Sequence, residues 1–297
     1  MKKLMLIINP AAGRGAYEKE IGKTLNILYN GGCLPSIYFT QGAGDATRLA
    51  AEHAADYDII CCIGGDGTLS ETVSGLMHAP KRPPIGYFPL GTTNDVATTL
   101  GLPKNDMPRA AEVICGGKTV NFDVGCFGEN EHFTYVAAFG AFTDVSYETP
   151  QEQKQALGHL AYVLEGMTRL PRLTSYHCFV SLDDGPEEEH DVLFGGVMNS
   201  TSVAGLVRLD PERVQLDDGM FEVALVHHPR SVADFKQLLA EAKRADFQEG
   251  EFLSLRQAHS VCFRFDTPVP WTRDGESGGA FTELVLRNSA RAVQFLV

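Results

Sequence analysis

The chain has 297 residues, of which 44% are hydrophobic, and a formal net charge of −13 at pH 7. This length predicts about two domains, and the composition is typical of a globular protein rather than a disordered or fibrous one. The acidic balance argues against broad binding of nucleic acid, because a basic face is needed to neutralise phosphates.

The cysteines and the amino-terminal residues indicate in which cellular compartment the protein is found. None of the seven cysteines forms a C-x-x-C pair of the kind that zinc and redox sites use, so buried thiols in a reducing compartment are expected. The apolar run at residues 4–8 is too short for a signal peptide. No apolar run approaches the roughly 18 residues that a membrane span requires. We therefore expect a cytoplasmic protein without a transmembrane segment.

The first 123 residues alternate between strand and helix patterns. Short apolar runs that end in turn residues predict strands at KLMLIINP, LPSIYFT, YDIICCIGG, PPIGYFPLG and TVNFDVGCF. Helical patterns lie between them at YEKEIGKTLNILYNGG, GDATRLAAEHAAD, LSETVSGLMH and MPRAAEVICGG, and Asp45 is expected to cap the second of these helices. This order predicts an α/β domain, residues 1–123, with a parallel sheet covered by helices on both faces.

Residues 124–297 have a different pattern, which is rich in strands. Apolar and β-branched runs with turn residues between them predict strands at EHFTYVAAFGAF, SYHCFVSLDDG, HDVLFGGVMNS, GMFEVALVHH, FLSLRQAHSVCFRF and FTELVLRN. Two helical stretches interrupt them, EQKQALGHLAYVLEGMTRL and SVADFKQLLAEAKRADF. The pattern predicts a second, mainly antiparallel domain.

A glycine-rich segment follows the third predicted strand and consists of Gly64, Gly65, Asp66, Gly67 and Thr68. In an open α/β sheet, ligands bind at such strand ends, and glycine lets backbone amides approach phosphate oxygens closely. An aspartate beside phosphates needs a cation, so Asp66 is predicted to hold Mg²⁺. A role for Asp66 as a base toward a hydroxyl substrate is the alternative, and a plain tight turn with an exposed aspartate is another.

Two further loops are expected at the same edge of the sheet. NPAAGRG follows the first strand and supplies Arg14, which can contact phosphate. PLGTTND follows the fourth strand and offers Thr92, Asn94 and Asp95. Each loop alone is equally explained by a helix cap, for which Asn94 or Asp95 is suited. Three glycine-containing loops at equivalent strand ends favour a phosphate site.

The order and spacing of five motifs resemble the diacylglycerol kinase catalytic-domain family of soluble bacterial lipid kinases. The motifs are INPAAGRG, GGDGTLSETVSG, LGTTNDVA, LDDGMFEV and RDGE, and the resemblance extends from residue 9 to about residue 276. It implies an ATP-binding α/β domain joined to a β-sandwich-like lipid-binding domain at residues 124–297. It also implies ATP and Mg²⁺ as cofactors and transfer of the γ-phosphate to a lipid hydroxyl, of diacylglycerol (giving phosphatidic acid) or a related lipid.

The resemblance also implies roles for individual residues. Nucleotide contacts are implied at Asn9, Thr40, Gly65 to Glu71, and Thr92. A structural Mg²⁺ site is implied at the Asp218 carboxylate and the main-chain carbonyls of Gln215 and Met220, with Asp217 joining Asp66 and Asp95 in a network of carboxylates, water and Mg²⁺. The base that accepts the lipid hydroxyl proton falls on Glu276, with Asp274 as the alternative.

Without the resemblance, the last two motifs predict only turns. Asp217-Asp218-Gly219 has the residues of a hairpin turn, as does the similar segment at Asp183-Asp184. RDGE likewise predicts an exposed Asp-Gly turn. Gln215 and Arg273 depart from the residues that are common in relatives, where an aspartate and an apolar residue precede these motifs.

The partner implied by the resemblance is a lipid at a membrane surface. Residues 157–173 combine apolar side chains with Arg169 and Arg172, a pattern that suits an acyl channel beside anionic headgroups or an ordinary core-facing helix. A homodimer is a further possible partner state. Two other functions remain open: an NAD kinase, which shares the G-G-D-G core, and a non-catalytic nucleotide-binding regulator.

Overall fold

The computed structural model describes residues 1–15, 17–141, 174–203, 207–208, 214–244 and 250–297. The chain divides into two compact units. The first consists of Met1–Tyr135, Leu216–Gly219 and Ser289–Val297, and the second of Val136–Gln215 and Met220–Asn288. The sequence predicts one boundary after residue 123, whereas the end of the chain returns to the first unit because Val293 and Phe295 pack in its core.

Parallel strands form the sheet of the first unit. Its strands are β1 (Lys2–Ile8), β2 (Cys33–Phe39), β3 (Ile59–Gly64) and β4 (Ile85–Pro89). They pair in parallel in the order β4-β3-β1-β2. The helices between and after them are α1 (Tyr17–Asn30), α2 (Asp45–His53), α3 (Asp66–His78), α4 (Asp95–Thr99) and α5 (Met107–Gly116).

Successive residues of these strands pack into two separate cores. Met5 and Ile7 of β1 pack with residues of α2 and α3, whereas Leu4 and Leu6 pack with residues of α1 and α5. A strand that is buried on both sides needs apolar residues at every position, which explains the continuous apolar runs in the sequence. Because the four strands are parallel, their carboxyl ends lie along one edge of the sheet.

Antiparallel strands complete the first unit. β5 (Thr119–Phe127) pairs with β6 (Glu131–Phe133) and with the long strand β15 (Glu276–Leu296). The last residues of β15 also lie beside β4 in parallel, where Phe295 is opposite Ile85. The side chain of Asp123 on β5 is 0% exposed in this otherwise apolar region.

The second unit is composed mainly of antiparallel strands, as the sequence predicts. They are β7 (Val136–Gly140), β8 (Tyr176–Leu182), β9 (Glu188–Met198), β10 (Ser202–Val203), β11 (Val207–Arg208), β12 (Phe221–His227), β13 (Leu253–Ala258), β14 (Ser260–Arg273) and the first part of β15, with one described helix, α6 (Val232–Arg244). Strands β9 and β14 each pair with both β7 and β8, so these four strands close on themselves. Phe139, Phe263 and Trp271 contact one another inside this unit.

Candidate active site

The glycine-rich segment lies where β3 ends and α3 begins. Gly64 is the last residue of β3, and α3 begins at Asp66, so Gly67 and Thr68 belong to its first turn rather than to a loop. The backbone amides of a first helical turn have no acceptor within the helix. The residue before the helix, Gly65, makes no side-chain cap. These amides and the positive end of the helix dipole are suited to bind phosphate.

Two glycines bring the loops after β3 and β4 into direct contact. A Cβ atom at Gly65 would lie 3.1 Å from the Gly91 Cα atom, and a Cβ atom at Gly91 would lie 2.5 Å from the Gly65 Cα atom. Any larger side chain would push the loops apart. This close approach explains why glycine stands at both positions, and it places two of the three predicted loops side by side.

Asn9 connects the third loop to the same helix. Its side-chain amide donates a hydrogen bond to the Thr68 hydroxyl oxygen at 3.0 Å, and its carbonyl oxygen accepts one from the Ala11 amide at 3.0 Å. The loop after β1 is therefore joined to the first turn of α3. Arg14 lies in the short helical turn Ala12–Gly15, and its side chain is outside the part of the chain that the structure describes.

Asp66 has one carboxylate oxygen that is held and one that is not. The residue is 8% exposed, and its Oδ2 atom accepts a hydrogen bond from the Thr93 hydroxyl at 3.0 Å. Its Oδ1 atom is buried and has no hydrogen-bond partner among the described residues. A buried carboxylate oxygen without a partner is costly. The arrangement therefore fits a cation at Oδ1.

The charge around Asp66 supports the same interpretation. Loss of hydration and then repulsion from the Asp66 carboxylate raise the pKa of Asp95, although the residue retains exposed surface. Burial, followed by the Asp66 carboxylate, raises the pKa of the Tyr87 hydroxyl. Two neighbouring carboxylates at the end of the sheet thus form a negatively charged pair, which a divalent cation stabilises.

Asn94 shapes the loop after β4 instead of capping a helix through its side chain. It occupies the cap position of α4 with φ 51°, but its side chain makes no cap hydrogen bond. Its Oδ1 atom accepts hydrogen bonds from the Gly91 amide at 2.9 Å and the Tyr87 hydroxyl at 3.3 Å. Its Nδ2 atom donates to the Gly91 carbonyl at 2.8 Å. Thr92, at the tip of the loop, is exposed.

Glu71 caps α2 from a different helix. Its two carboxylate oxygens accept hydrogen bonds from the Gly44 amide at 2.8 Å and the Ala46 amide at 3.1 Å. The predicted cap, Asp45, lies inside the first turn, and Gly44 occupies the cap position. The sequence interpretation is corrected here because the acceptor comes from α3. Thr40, which follows β2, is buried, and its amide donates a hydrogen bond to the Ile8 carbonyl oxygen.

A buried aspartate anchors the loop at residues 216–219. The Asp123 Oδ2 atom accepts a hydrogen bond from the Gly219 amide at 2.6 Å, and its Oδ1 atom accepts one from the Arg291 amide at 2.6 Å. The Asp123 amide donates to the Leu216 carbonyl at 2.8 Å. Sequence reasoning missed Asp123, although an acid within the apolar strand TVNFDVGCF is the signal that reveals it.

The other residues of this loop have different partners. Asp217 pairs with Arg291, whose Nε atom lies 3.6 Å from the Asp217 carboxylate and donates to its carbonyl at 3.1 Å. Asp218 is exposed, as is Gln215. The Met220 carbonyl accepts a hydrogen bond from the Asn288 side chain at 3.0 Å. Among the described residues, no three or more His, Cys, Asp or Glu side chains lie close enough together to hold a metal ion by themselves.

The two acids of RDGE lie in very different surroundings. Asp274 and Gly275 form a two-residue turn between β14 and β15, both with positive φ, 48° and 82°. Asp274 is 4% exposed, and its Oδ1 atom accepts a hydrogen bond from the Val136 amide at 3.1 Å. Glu276 is exposed at the start of β15. The Asp274 carboxylate is therefore hydrogen-bonded to the backbone, whereas the Glu276 carboxylate faces solvent.

Three other features of the chain are a cavity, the cysteines and the predicted acyl channel. A cavity of about 670 Å³ in the first unit is lined by Lys2, Gly32, Asp58 and Gly117, at the opposite ends of the strands. All seven cysteines are free, four of them buried and three only partly buried. The predicted acyl channel at residues 157–173 lies outside the described residues.

Comparison with known proteins assigns the chain to a family. The family described as "Diacylglycerol kinase catalytic domain" matches residues 3–127, and the one described as "YegS C-terminal NAD kinase beta sandwich-like domain" matches residues 138–296. A diacylglycerol kinase of Bacillus subtilis is 33% identical over 280 residues, which cover 94% of this chain and 91% of the relative. The chain belongs to the diacylglycerol kinase catalytic-domain family. The resemblance is thus confirmed, and the chain is an ATP-binding kinase.

A second relative agrees with this assignment, and solved structures share the fold. A diacylglycerol kinase of Staphylococcus carnosus is 34% identical, with 94% of this chain and 90% of the relative covered. A crystal structure of a diacylglycerol kinase from Bacillus anthracis shares the fold, with a TM-score of 0.75 at 21% identity, 99% of this chain and 96% of the other being covered. An NAD kinase from Archaeoglobus fulgidus shares it more distantly, with a TM-score of 0.56 at 13% identity over 99% and 93% of the two chains.

Membrane spans were expected to be absent. None of the helices within the described residues has the length and hydropathy that a bilayer crossing requires.

Proposed function

We propose that this chain transfers the γ-phosphoryl group of ATP to the hydroxyl group of diacylglycerol, which gives phosphatidic acid. Relatives named diacylglycerol kinase match nearly the whole chain at about one-third identity. The observation in the structure that carries the proposal is the buried, unpartnered Oδ1 atom of Asp66 in the first turn of α3. That atom fits the cation that accompanies a nucleotide phosphate.

The nucleotide is proposed to bind to the first unit, whose parallel sheet has helices on both faces. The uncapped first turn of α3, which includes Gly67 and Thr68, supplies backbone amides to the phosphates. Asn9 holds the neighbouring loop in place through Thr68. Thr40, Thr92 and Arg14 are further proposed contacts with the nucleotide. Glu71 holds the segment before α2 through the Gly44 amide, and Asn94 holds the loop after β4 through the Gly91 amide.

Mg²⁺ is proposed to bind at the Asp66 and Asp95 carboxylates, where it would balance the negative charge of the transferring group. A second, structural Mg²⁺ is proposed at the loop of residues 215–220, with the Asp218 carboxylate and the Gln215 and Met220 carbonyls as ligands. All these ligands are oxygen atoms, which Mg²⁺ prefers. Asp123 holds this loop by two hydrogen bonds, because its carboxylate accepts one from the Gly219 amide and its own amide donates one to the Leu216 carbonyl.

The proposed base is Glu276. As the lipid hydroxyl oxygen attacks the γ-phosphorus atom and the bond to the β-phosphate oxygen breaks, the hydroxyl proton passes to the Glu276 carboxylate. Its exposure supports this choice, because the alternative, Asp274, is buried and accepts a hydrogen bond from the Val136 amide. Asp274 instead fixes the turn that presents Glu276. The lipid is proposed to reach the enzyme from a membrane surface, and a homodimer remains part of the hypothesis.

Radioactive phosphate transfer to a panel of acceptors tests the proposed function. Purified protein with Mg²⁺ and γ-labelled ATP would be given diacylglycerol, phosphatidylglycerol and a sphingoid base in mixed micelles, and NAD in solution. Labelled phosphatidic acid is the expected product, and EDTA should abolish its formation. Because NAD kinases share this fold, labelled NAD phosphate with every lipid untouched would contradict the proposal, whereas another labelled lipid would correct only the acceptor.

Replacement of Glu276 tests the base. Glu276→Gln should lower kcat by more than about 100-fold, because general base catalysis contributes roughly that much or more. ATP binding, measured by calorimetry, should stay within about twofold of the wild-type value, since the amide preserves the shape. Glu283→Gln, an exposed residue on the same strand, is the matched control and should be fully active. Equal activity of the two variants would refute the assignment.

A further inference from the structure

Two consecutive residues after α4 hold the loop that follows β4, although neither belongs to a motif. The Lys104 ammonium donates a hydrogen bond to the Thr93 carbonyl oxygen at 2.8 Å. The Asn105 amide donates to the Pro89 carbonyl oxygen at 3.1 Å. Pro89 is the last residue of β4 and Thr93 lies just before α4. The loop is therefore fixed at both of its ends.

Lys104 is linked through Thr93 to the Asp66 carboxylate of the nucleotide site. Lys104 holds Thr93 by its carbonyl group. The Thr93 hydroxyl in turn donates a hydrogen bond to the Asp66 Oδ2 atom. Lys104 thus fixes the residue that orients Asp66. The Asp66 Oδ1 atom has no hydrogen-bond partner among the described residues.

We propose that Lys104 is a positioning residue of the nucleotide site, which holds Thr93 against Asp66 and places a positive charge beside the loop that follows β4. This role rests on the proposed function, because it serves the binding of ATP. Two carboxylates repel an approaching polyphosphate, and a nearby ammonium group reduces that repulsion. Lys104 therefore acts on nucleotide affinity more than on the rate of the saturated enzyme.

A matched pair of lysine variants tests this role. Lys81 is the control, because it is also exposed and also donates to a backbone carbonyl, that of Tyr57, at 2.9 Å. Lys104→Met should raise the KM for ATP by about tenfold, since a charge-assisted hydrogen bond and a charge are lost. Its kcat should stay within about twofold of the wild-type value, as expected for an interaction made equally in the ground and transition states. Lys81→Met should leave both constants unchanged.

Direct binding provides a second readout that does not depend on turnover. Calorimetric titration with ATP, in Mg²⁺ and in EDTA, should show about tenfold weaker binding for Lys104→Met in EDTA, where no metal ion screens the carboxylates. Lys104→Arg should recover most of the affinity, because a guanidinium can donate to the same carbonyl. Titrations that match those of Lys81→Met, or an arginine variant as weak as the methionine variant, would overturn the proposal.

The two proposals fail in different ways. A wild-type protein that binds ATP but phosphorylates none of the acceptors would contradict the proposed function, and the calorimetric comparison of Lys104→Met with Lys81→Met would still decide the role of Lys104. An active wild-type protein whose Lys104→Met variant retains its KM would contradict the role of Lys104 alone.

Discussion

Two segments of the chain have the same four residues, Leu-Asp-Asp-Gly, and adopt different conformations. In residues 182–185, Asp183 and Asp184 both have positive φ, 51° and 58°. In residues 216–219, the positive φ of 80° belongs to Gly219 instead. Only the first is the turn between antiparallel strands that Asp-Asp-Gly predicts, because it connects β8 to β9.

The difference lies in the partners of each segment. The Asp183 Oδ1 atom accepts hydrogen bonds from the amides of His259 and Ser260, at 2.7 and 2.9 Å, so the first segment uses its own carboxylate. The second segment is held from outside, because the Gly219 amide donates to the buried carboxylate of Asp123. The sequence Leu-Asp-Asp-Gly therefore permits two conformations. In residues 216–219, which are proposed to bind a metal ion, the conformation is selected by Asp123, a buried acid that is distant in the sequence.

The strongest test of this comparison removes the outside partner. Asp123 uses both carboxylate oxygens, one for Gly219 and one for Arg291. Asp123→Asn would place an amide nitrogen, which cannot accept, opposite one of these buried amides. The free energy of unfolding should fall by about 3 kcal/mol, because a charge-assisted hydrogen bond is lost and a buried donor is left unpaired. Urea unfolding measures the change, and kinase activity should fall with it.

Asp183→Asn is the control for that experiment. Asp183 uses a single oxygen atom for both of its backbone hydrogen bonds, and an asparagine oxygen can accept the same two. The free energy of unfolding should therefore change by less than about 1 kcal/mol. Equal destabilisation by the two substitutions would show that the segments are held in the same way.

A second pair of variants compares the exposed aspartates of the two segments. Asp218→Asn should lower kinase activity by on the order of tenfold at limiting Mg²⁺, since a charged ligand of the proposed structural metal is lost. Excess Mg²⁺ should restore part of the activity. Asp184→Asn, in the other segment, should have no effect at any Mg²⁺ concentration. Thermal unfolding in EDTA should be the same for both variants, because both residues are exposed.

The prediction for Asp218→Asn would be contradicted if its kinase activity depended on Mg²⁺ concentration in the same way as that of the wild-type protein. The loop at residues 215–220 would then be structural alone, and the family resemblance would not extend to its metal ligands in this chain. The substitution of Gln215 for the aspartate that is common in relatives would be the first cause to examine.

The same contrast separates what the sequence could predict from what it could not. The continuous apolar runs predict the buried strands of the first unit, and glycine-rich segments at strand ends locate the nucleotide loops. The beginning of α3 at Asp66 was missed, because glycine residues disfavour helix on local grounds and the fold overrides that preference. The cap that Glu71 provides for α2 was missed because it comes from another helix.

The second unit was predictable only as a class. Alternating apolar residues and turns predict antiparallel strands, yet the pairing of β9 and β14 with two partners each depends on contacts far apart in the chain. The RDGE motif illustrates the limit. Its turn follows from Asp-Gly, but the burial of Asp274 against Val136 and the exposure of Glu276 depend on the neighbouring strand β7.

The smallest expected effect concerns pH and the strands that flank the first segment. His177 on β8 contacts Glu189 on β9 at 3.0 Å and Asp266 on β14 at 3.3 Å, and the Glu189 hydrogen bond, followed by Asp266, raises its pKa despite some loss of hydration. His190 on β9 has the opposite behaviour, because burial lowers its pKa. The pKa values of Glu187 and Glu188 are lowered by Arg264 and Arg256, so these acids titrate at lower pH.

Only the raised pKa of His177 stabilises these strands in the protonated state near neutral pH. Its contribution is fully present below the unfolded pKa of about 6.5 and is lost as the pH rises through the higher folded value.

Amide hydrogen exchange of β8 and β9, corrected for intrinsic rates, tests this contribution. In the wild-type protein the amides should be less protected at pH 8 than at pH 6, and this loss of protection should be larger than the loss in His177→Gln. Taking the difference between the two proteins cancels the opposite effect of His190, which both retain. The loop at residues 216–219 is bonded to Asp123 and Arg291, so its protection relative to the variant should not change with pH. A pH-independent difference at β8 and β9 would mean that His177 contributes nothing to holding the first segment, and that Asp183 alone distinguishes it from the second.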